Sequence, residues 1–202
     1  MSSQATSVPS GSLPELLEAA RLLLSEKAVI RFDEPVQLAS GQMSSHFIDG
    51  KAGLAQARDL RLACHAINAL VVSNGIDFDA VGGLTLGADH LGVGVALEAD
   101  KQWFFVRKQA KERGTARSIE GAALGPGVKV LIVEDVVSTG GSLLQAVDAV
   151  ASTGATVVAA ATLVDRGGNA GALLEQRDIP YFFLGAHTDF GLPPVAPAAS
   201  QQ

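Results

Sequence analysis

Val130-Leu-Ile-Val-Glu-Asp-Val-Val-Ser-Thr-Gly-Gly-Ser142 decides how the rest of the chain is read. With Val128 and Lys129 before it, the stretch begins as an almost unbroken apolar run, the pattern of a strand covered on both sheet faces. That run ends at two adjacent carboxylates, Glu134 and Asp135. Then come Val136, Val137, Ser138, Thr139, Gly140, Gly141 and Ser142, immediately before a helical pattern reaching about Ser152. In a parallel sheet the carboxyl ends of strands are where ligands bind. Ser, Thr and two Gly at such a junction permit a tight turn whose N–H groups converge on phosphate oxygens, and the helix start adds unpaired N–H groups and a favourable dipole. The carboxylates suit another part of the same ligand. They can accept hydrogen bonds from the vicinal hydroxyls of a ribose, and they oppose the positive charge that develops when an anomeric carbon–oxygen bond breaks. The bland reading, a capped helix after two surface acids, leaves the combination unexplained. No Gly-Lys-Ser/Thr sequence follows the strand, and the Gly-x-Gly-x-x-Gly spacing of a dinucleotide site is missing.

Outward from this segment the chain alternates. Leu60, Cys64, Ile67 and Val71 recur at helical spacing between Ala57 and Val72, and Asn74-Gly75 stops that helix. Ala80-Val81 leads into the glycine-rich turn Gly82, Gly83, Leu84, Thr85, Leu86, Gly87, followed by a helix to about Leu97. Trp103–Val106, Thr156–Leu163 and Tyr181–Leu184 read as further strands. Strands alternating with helices of this length predict an α/β fold with an open, mostly parallel sheet flanked by helices. Near the amino terminus, Ser12 and Glu15 form a capping-box pattern before the stripe Leu13, Leu16, Leu17, Ala20, Leu23, Leu24. Val29–Phe32 and Val36–Leu38 read as two short strands around the Asp33-Glu-Pro35 turn. The 29–50 region breaks the alternation and reads as a flap or hood. One domain is expected over 13–195, its hood contributed mainly by 13–52, between a disordered tail at 1–12 and another tail at 196–202.

The 202 residues and a hydrophobic fraction of 48% suffice for one medium domain with a real core. A net charge of −6 argues against a general nucleic-acid binder, which carries a basic face. Within that acidic total, Lys101, Arg107, Lys108, Lys111, Arg113 and Arg117 are opposed only by Glu112, so six of the fifteen basic residues fall in one stretch. It is either a solvated surface run or a local receptor for an anion. Cys64, the single cysteine, sits among apolar residues and reads as core rather than nucleophile. No apolar run reaches membrane-span length and the first residues carry no leader pattern, so a soluble cytoplasmic protein is expected, with no membrane partner.

The 130–142 segment resembles the 5-phosphoribosyl 1-pyrophosphate (PRPP) motif of type I phosphoribosyltransferases. Three further segments narrow the resemblance to orotate phosphoribosyltransferases. Leu38-Ala-Ser-Gly-Gln-Met-Ser-Ser-His-Phe-Ile-Asp-Gly-Lys51 looks like that family's amino-terminal signature, Phe105–Gly114 its mobile loop, and Val164-Asp-Arg-Gly-Gly168 its base-site segment. The resemblance implies the type I phosphoribosyltransferase fold and transfer of a phosphoribosyl group from PRPP to orotate. It places Glu134 and Asp135 on the ribose hydroxyls, Ser138 to Ser142 on the 5′-phosphate with Val136 and Val137 also at PRPP, and Gly82 to Gly87 against pyrophosphate. Arg107, Lys108 and Lys111 would neutralise the departing pyrophosphate, with Lys111, Arg113 and Asp135 the catalytic set. Ser138, Arg166, Phe47 and Lys51 would meet orotate, Arg166 as a fork on its carboxylate. Mg²⁺ would bridge substrate oxygens with no direct protein ligand, and a homodimer would share its sites. Three positions depart from the pattern: Met43 and Leu86 stand where some members have lysine, and Arg113 where histidine is frequent. Arg113 keeps a cation but cannot transfer a proton near neutral pH. Transfer to another nucleobase, or a non-catalytic sensor of PRPP, are the alternatives.

Overall fold

The computed structural model describes residues 11–37, 43–109 and 118–195. Helix α1 (Leu13–Lys27) starts at the expected capping box, with the Ser12 N–H donating to Glu15 Oε2 at 2.8 Å. It buries Leu16, Ala20, Leu23 and Leu24, the stripe read from the sequence. Strands β1 (Val29–Gln37) and β2 (Met43–Ile48) pair antiparallel in a separate two-stranded sheet, the hood. The two short strands expected here are one strand, whose register shifts between Arg31 and Val36. Pro35 lacks an N–H, and the strand absorbs it as an irregularity instead of turning.

After a one-turn helix α2 (Gly50–Gly53) come α3 (Ala57–Ser73), β3 (Ala80–Leu84), α4 (Asp89–Ala99), β4 (Gln102–Val106) and a short β5 (Ile119–Gly121). The chain continues through β6 (Lys129–Val137), α5 (Gly141–Ala151), β7 (Thr156–Asp165), α6 (Ala170–Glu175) and β8 (Tyr181–Ala186), then a 3-10 turn at His187–Phe190. The main sheet has the order β5-β4-β3-β6-β7-β8. All its neighbours are parallel except β5, which runs antiparallel to β4. Residues of α1, α3 and α4 cover one face with Val81, Leu131, Val133, Ala161 and Leu163, while α5 and α6 cover the other with Phe104, Val106, Val130 and Ile132.

Two sequence readings shift by a few residues, with consequences for the site. Gly82 and Gly83 belong to β3, not to the turn, which is confined to residues 85–88. A Cβ on Gly82 would fall 2.0 Å from the Phe104 carbonyl oxygen, and one on Gly83 would fall 2.1 Å from that of Val133. Their lack of side chains lets β3 lie tight between β4 and β6. Strand β6 runs on to Val137, so Glu134 and Asp135 are strand residues fixed by the ladder to β7. The order also explains where a ligand can enter. From β3 the chain moves to β4 on one side and then returns to place β6 on the other. The gap between the ends of β3 and β6 is therefore the switch point of the sheet.

Candidate active site

At that switch point, Leu84, Thr85, Leu86 and Gly87 face Glu134, Asp135, Val136 and Ser142 across a cavity of about 450 Å³, closed at its sides by Lys51 and Lys108. A second cavity of about 370 Å³ adjoins it, formed by Glu134 and the whole run Val136–Leu143. Segments from four distant parts of the sequence thus meet. The turn after β3 lies directly on the carboxylates: a Cβ at Gly87 would come within 2.1 Å of Glu134 Oε1 and 2.9 Å of Asp135 Oδ1. Only glycine lets the backbone approach so closely. The loop after β6 turns through Gly140, at φ +85°, into the amino terminus of α5.

Both carboxylates are buried. Asp135 Oδ1 accepts the Val136 N–H at 2.7 Å, Oδ2 accepts from Lys51 Nζ at 3.0 Å, and the Asp135 carbonyl accepts the Thr162 hydroxyl at 3.1 Å. Glu134 Oε1 accepts the Asp135 N–H at 3.2 Å. Burial, and then the neighbouring Asp135 charge, push the Glu134 carboxyl well above its ordinary range. Burial pulls the Lys51 ammonium down, but the hydrogen bond and charge of Asp135, backed by Asp49 and Glu134, outweigh it and the net shift is upward. At the start of α4, burial lowers the His90 imidazole, and its Nε2 lies without a hydrogen-bond partner. Two adjacent buried carboxylates make an oxygen-rich wall that suits a hard cation bridged to substrate oxygens. Among the described residues no group of three or more His, Cys, Asp or Glu could hold a metal unaided.

The expected site residues divide. Lys51, Leu84 to Gly87, Lys108 and Glu134 to Ser142 line the two cavities. The Arg107 guanidinium is turned onto Glu120, Nε at 3.0 Å and Nη2 at 2.9 Å from Oε1, and so anchors β4 to β5 outside the cavity lining. Phe47, 42% exposed, and Arg166, 5% exposed, line neither cavity. Arg166 follows β7, its N–H bonded to the Val137 carbonyl at 2.8 Å, so its backbone borders the phosphate loop. Its side chain is under-satisfied: Nη2 reaches the Pro193 carbonyl at 3.5 Å, and Nε is buried without a partner. Two residues further on, a Cβ at Gly168 would sit 1.9 Å from the Ser138 carbonyl oxygen. Lys111 and Arg113, with residues 38–42 of the amino-terminal signature, fall outside the described residues. Sequence reasoning missed the Thr162 support, His90 and the run after β8. A lone threonine in an apolar strand and a histidine on a helix give no periodic or motif signal.

A sugar-phosphate seat at the switch point, with paired acids on β6 and a Ser/Thr/Gly nest leading into α5, defines a phosphoribosyltransferase. The phosphoribosyl transferase domain family matches residues 57–186. The chain is 40% identical over 172 residues to an orotate phosphoribosyltransferase of Corynebacterium glutamicum, covering 84% of this chain and 91% of that protein. It is 39% identical over 167 residues to the Pyrococcus furiosus orotate phosphoribosyltransferase, covering 83% and 90%. The crystal structure of the Mycobacterium tuberculosis orotate phosphoribosyltransferase in complex with PRPP superposes with a TM-score of 0.72 at 31% identity, over 88% of this chain and 99% of that one. The chain belongs to the orotate phosphoribosyltransferase family.

Proposed function

We propose that the cavity between the turn after β3 and the end of β6 seats PRPP, and that the enzyme transfers its phosphoribosyl group to orotate. The products are orotidine 5′-monophosphate and pyrophosphate, in pyrimidine biosynthesis. The observation that carries this reading is the cavity of about 450 Å³ in which the turn Leu84–Gly87, the paired acids Glu134 and Asp135, and Ser142 at the start of α5 meet. In the step, an orotate ring nitrogen bonds to C1 of the ribose as the C1–O bond to pyrophosphate breaks, and the nitrogen's proton is lost. Asp135 and Glu134 hold the ribose hydroxyls and oppose the positive charge that grows on the ring. The N–H groups of Ser138 to Ser142 and the α5 dipole hold the 5′-phosphate. Lys51 releases Asp135 to the ribose and meets anionic oxygens of either substrate, while Lys108 faces the leaving pyrophosphate. Glu134 and Asp135 would face Mg²⁺ held chiefly by PRPP oxygens, and the ion supplies charge neutralisation of the pyrophosphate. The unpartnered Nε of Arg166 supports its assignment to the orotate carboxylate, which a guanidinium fork fits.

The reading extends to a cytoplasmic homodimer. Among the described residues no helix is long and apolar enough to cross a membrane. Leu97 and Trp103, 79% and 42% exposed, supply apolar surface that a second subunit would cover. The deciding experiment follows pyrophosphate release with PRPP and Mg²⁺ and orotate, uracil, hypoxanthine or xanthine. Release with orotate alone is expected; release with another base and none with orotate would move the enzyme to a different nucleobase.

A further inference from the structure

The nine residues after β8 bind together parts of the molecule that the sequence keeps far apart. His187 closes this segment on itself with two bonds to Leu192. The Leu192 N–H donates to the His187 carbonyl at 2.9 Å, and the Leu192 carbonyl lies 2.8 Å from His187 Nδ1. A carbonyl can only accept, so Nδ1 carries the proton and the tautomer is fixed. Leu192 is buried in the core beside Phe190. From there the segment returns along the end of β7: the Val195 N–H donates to the Arg166 carbonyl at 2.9 Å, and the Pro193 carbonyl lies 3.5 Å from Arg166 Nη2. The His187 ring also lies against Gly167, where a Cβ would come within 2.5 Å of it. Gly167 has a φ of +74°, so its freedom from a side chain serves both the turn and the ring. On its outer side the segment meets the hood and α1, with Arg31 Nη2 3.5 Å from the Phe190 carbonyl and Arg21 Nε 3.9 Å from Asp189 Oδ2.

We infer that residues 187–195 form a strap that aims Arg166 at the base, with His187 as the positioning residue that sets its shape. The inference rests on the reading of Arg166 as the orotate anchor. Among the described residues Arg166 has one long side-chain hydrogen bond and a buried Nε with none, so these bonds do not fix the guanidinium. What confines it is the backbone on either side: the Val137 carbonyl holds its N–H, and Val195 holds its carbonyl. Val195 is in place only because the chain turns at His187 and Leu192. Among the described residues no hydrogen bond joins the strap directly to the run Ser138–Ser142; Arg166 stands between them, its N–H bonded to the Val137 carbonyl and its own carbonyl to the Val195 N–H. Loosening His187 therefore blurs the carboxylate seat while the PRPP seat stays formed.

The test uses the full chain and three variants. Asparagine places an amide donor where His187 has Nδ1, glutamine places it where the ring has Nε2, and alanine removes it. His187→Ala should raise the KM for orotate about threefold to tenfold, the scale of one net hydrogen bond. The KM for PRPP should stay within about twofold. His187→Asn should restore most of the orotate KM and His187→Gln should not. If alanine prevents folding, the contrast between asparagine and glutamine decides alone. Equal changes in both KM values, or asparagine and glutamine behaving alike, would overturn the strap. Arg166→Ala is measured in parallel. If it leaves the orotate KM unchanged, the anchor reading fails; if it raises that KM while the His187 series stays flat, only the strap fails.

Discussion

The two halves of the site are built in opposite ways. The proposed PRPP half is one continuous run, Glu134 to Ser142, mounted on a central strand buried on both faces and completed by one neighbouring turn. The proposed base half is assembled from the hood, the turn after β7 and the strap; Arg31 of the hood reaches Phe190 of the strap across 159 residues of sequence, and Arg31 and Arg166 each meet the strap through one side-chain bond of 3.5 Å. A seat made by a strand end and a helix start is fixed by the ladder and needs no special side chain to hold it. A seat assembled from edges depends on individual contacts, so it is the half that substitutions should change selectively.

The sharpest way to break that comparison is Arg166→Ala. Losing one partner of a buried charged pair should cost about 2–5 kcal/mol in kcat/KM for orotate, with PRPP binding by titration nearly unchanged. A comparable loss for PRPP would show that the halves are not separable.

Gly168→Ala should join them. Its Cβ would fall 1.9 Å from the Ser138 carbonyl oxygen, a backbone atom that cannot rotate away. Relieving that overlap displaces the loop by about 1 Å, which is expected to lower kcat about 10²-fold, and both KM values should rise together in steady-state kinetics.

A third variant separates a structural carboxylate from a functional one. Asp59, buried on α3, binds Lys27 of α1 and, at 3.3 Å, Arg58. Asp59→Ala should lower the unfolding free energy by about 1–3 kcal/mol in denaturant titration and leave both KM values in place. Asp135→Asn should do the reverse.

The smallest effect concerns pH. Glu134 is held above its ordinary 4.5 by burial and by Asp135, so the folded protein binds this proton more tightly than the unfolded chain does. Unfolding then releases a proton across the window from 4.5 up to the raised value, and this group's contribution to stability falls as pH rises through it. Glu134→Gln should flatten that part of the stability–pH curve in chemical denaturation. An unchanged slope would place the ionisation elsewhere.

The same division explains what could be read from the sequence. The apolar run 130–133, the acid pair and the Ser/Thr/Gly turn are adjacent in the chain, so their chemistry was legible without knowing the fold. The helical stripe of α1 and the pattern of α3 were legible for the same reason. Gly82 and Gly83 read as part of a turn because glycine commonly marks one, whereas here they admit the carbonyls of Phe104 and Val133 to close range. The sharp turn expected at Asp33-Glu-Pro35 is instead an irregularity within one strand, flanked by the pairs Arg31–His46 and Val36–Ser44. Arg107 sits beside Lys108 in the sequence, yet Glu120 claims it, and no local pattern announces a partner thirteen residues away. His187 and Thr162 carry no motif, and their roles exist only once β6, β7 and the strap lie side by side.

The contact between Gly168 and Ser138 has a consequence for how such an enzyme can change its preference. Selection acting on residue 168 would be felt at once by the phosphate loop, so that position is closed as a route to a new base. Met43 and Phe47 on the hood are 63% and 42% exposed. They lie outside the lining of both cavities, so substitutions there leave the proposed PRPP seat in place. A lineage, or an engineer, can explore different bases from the hood while the sugar-phosphate chemistry underneath is inherited intact.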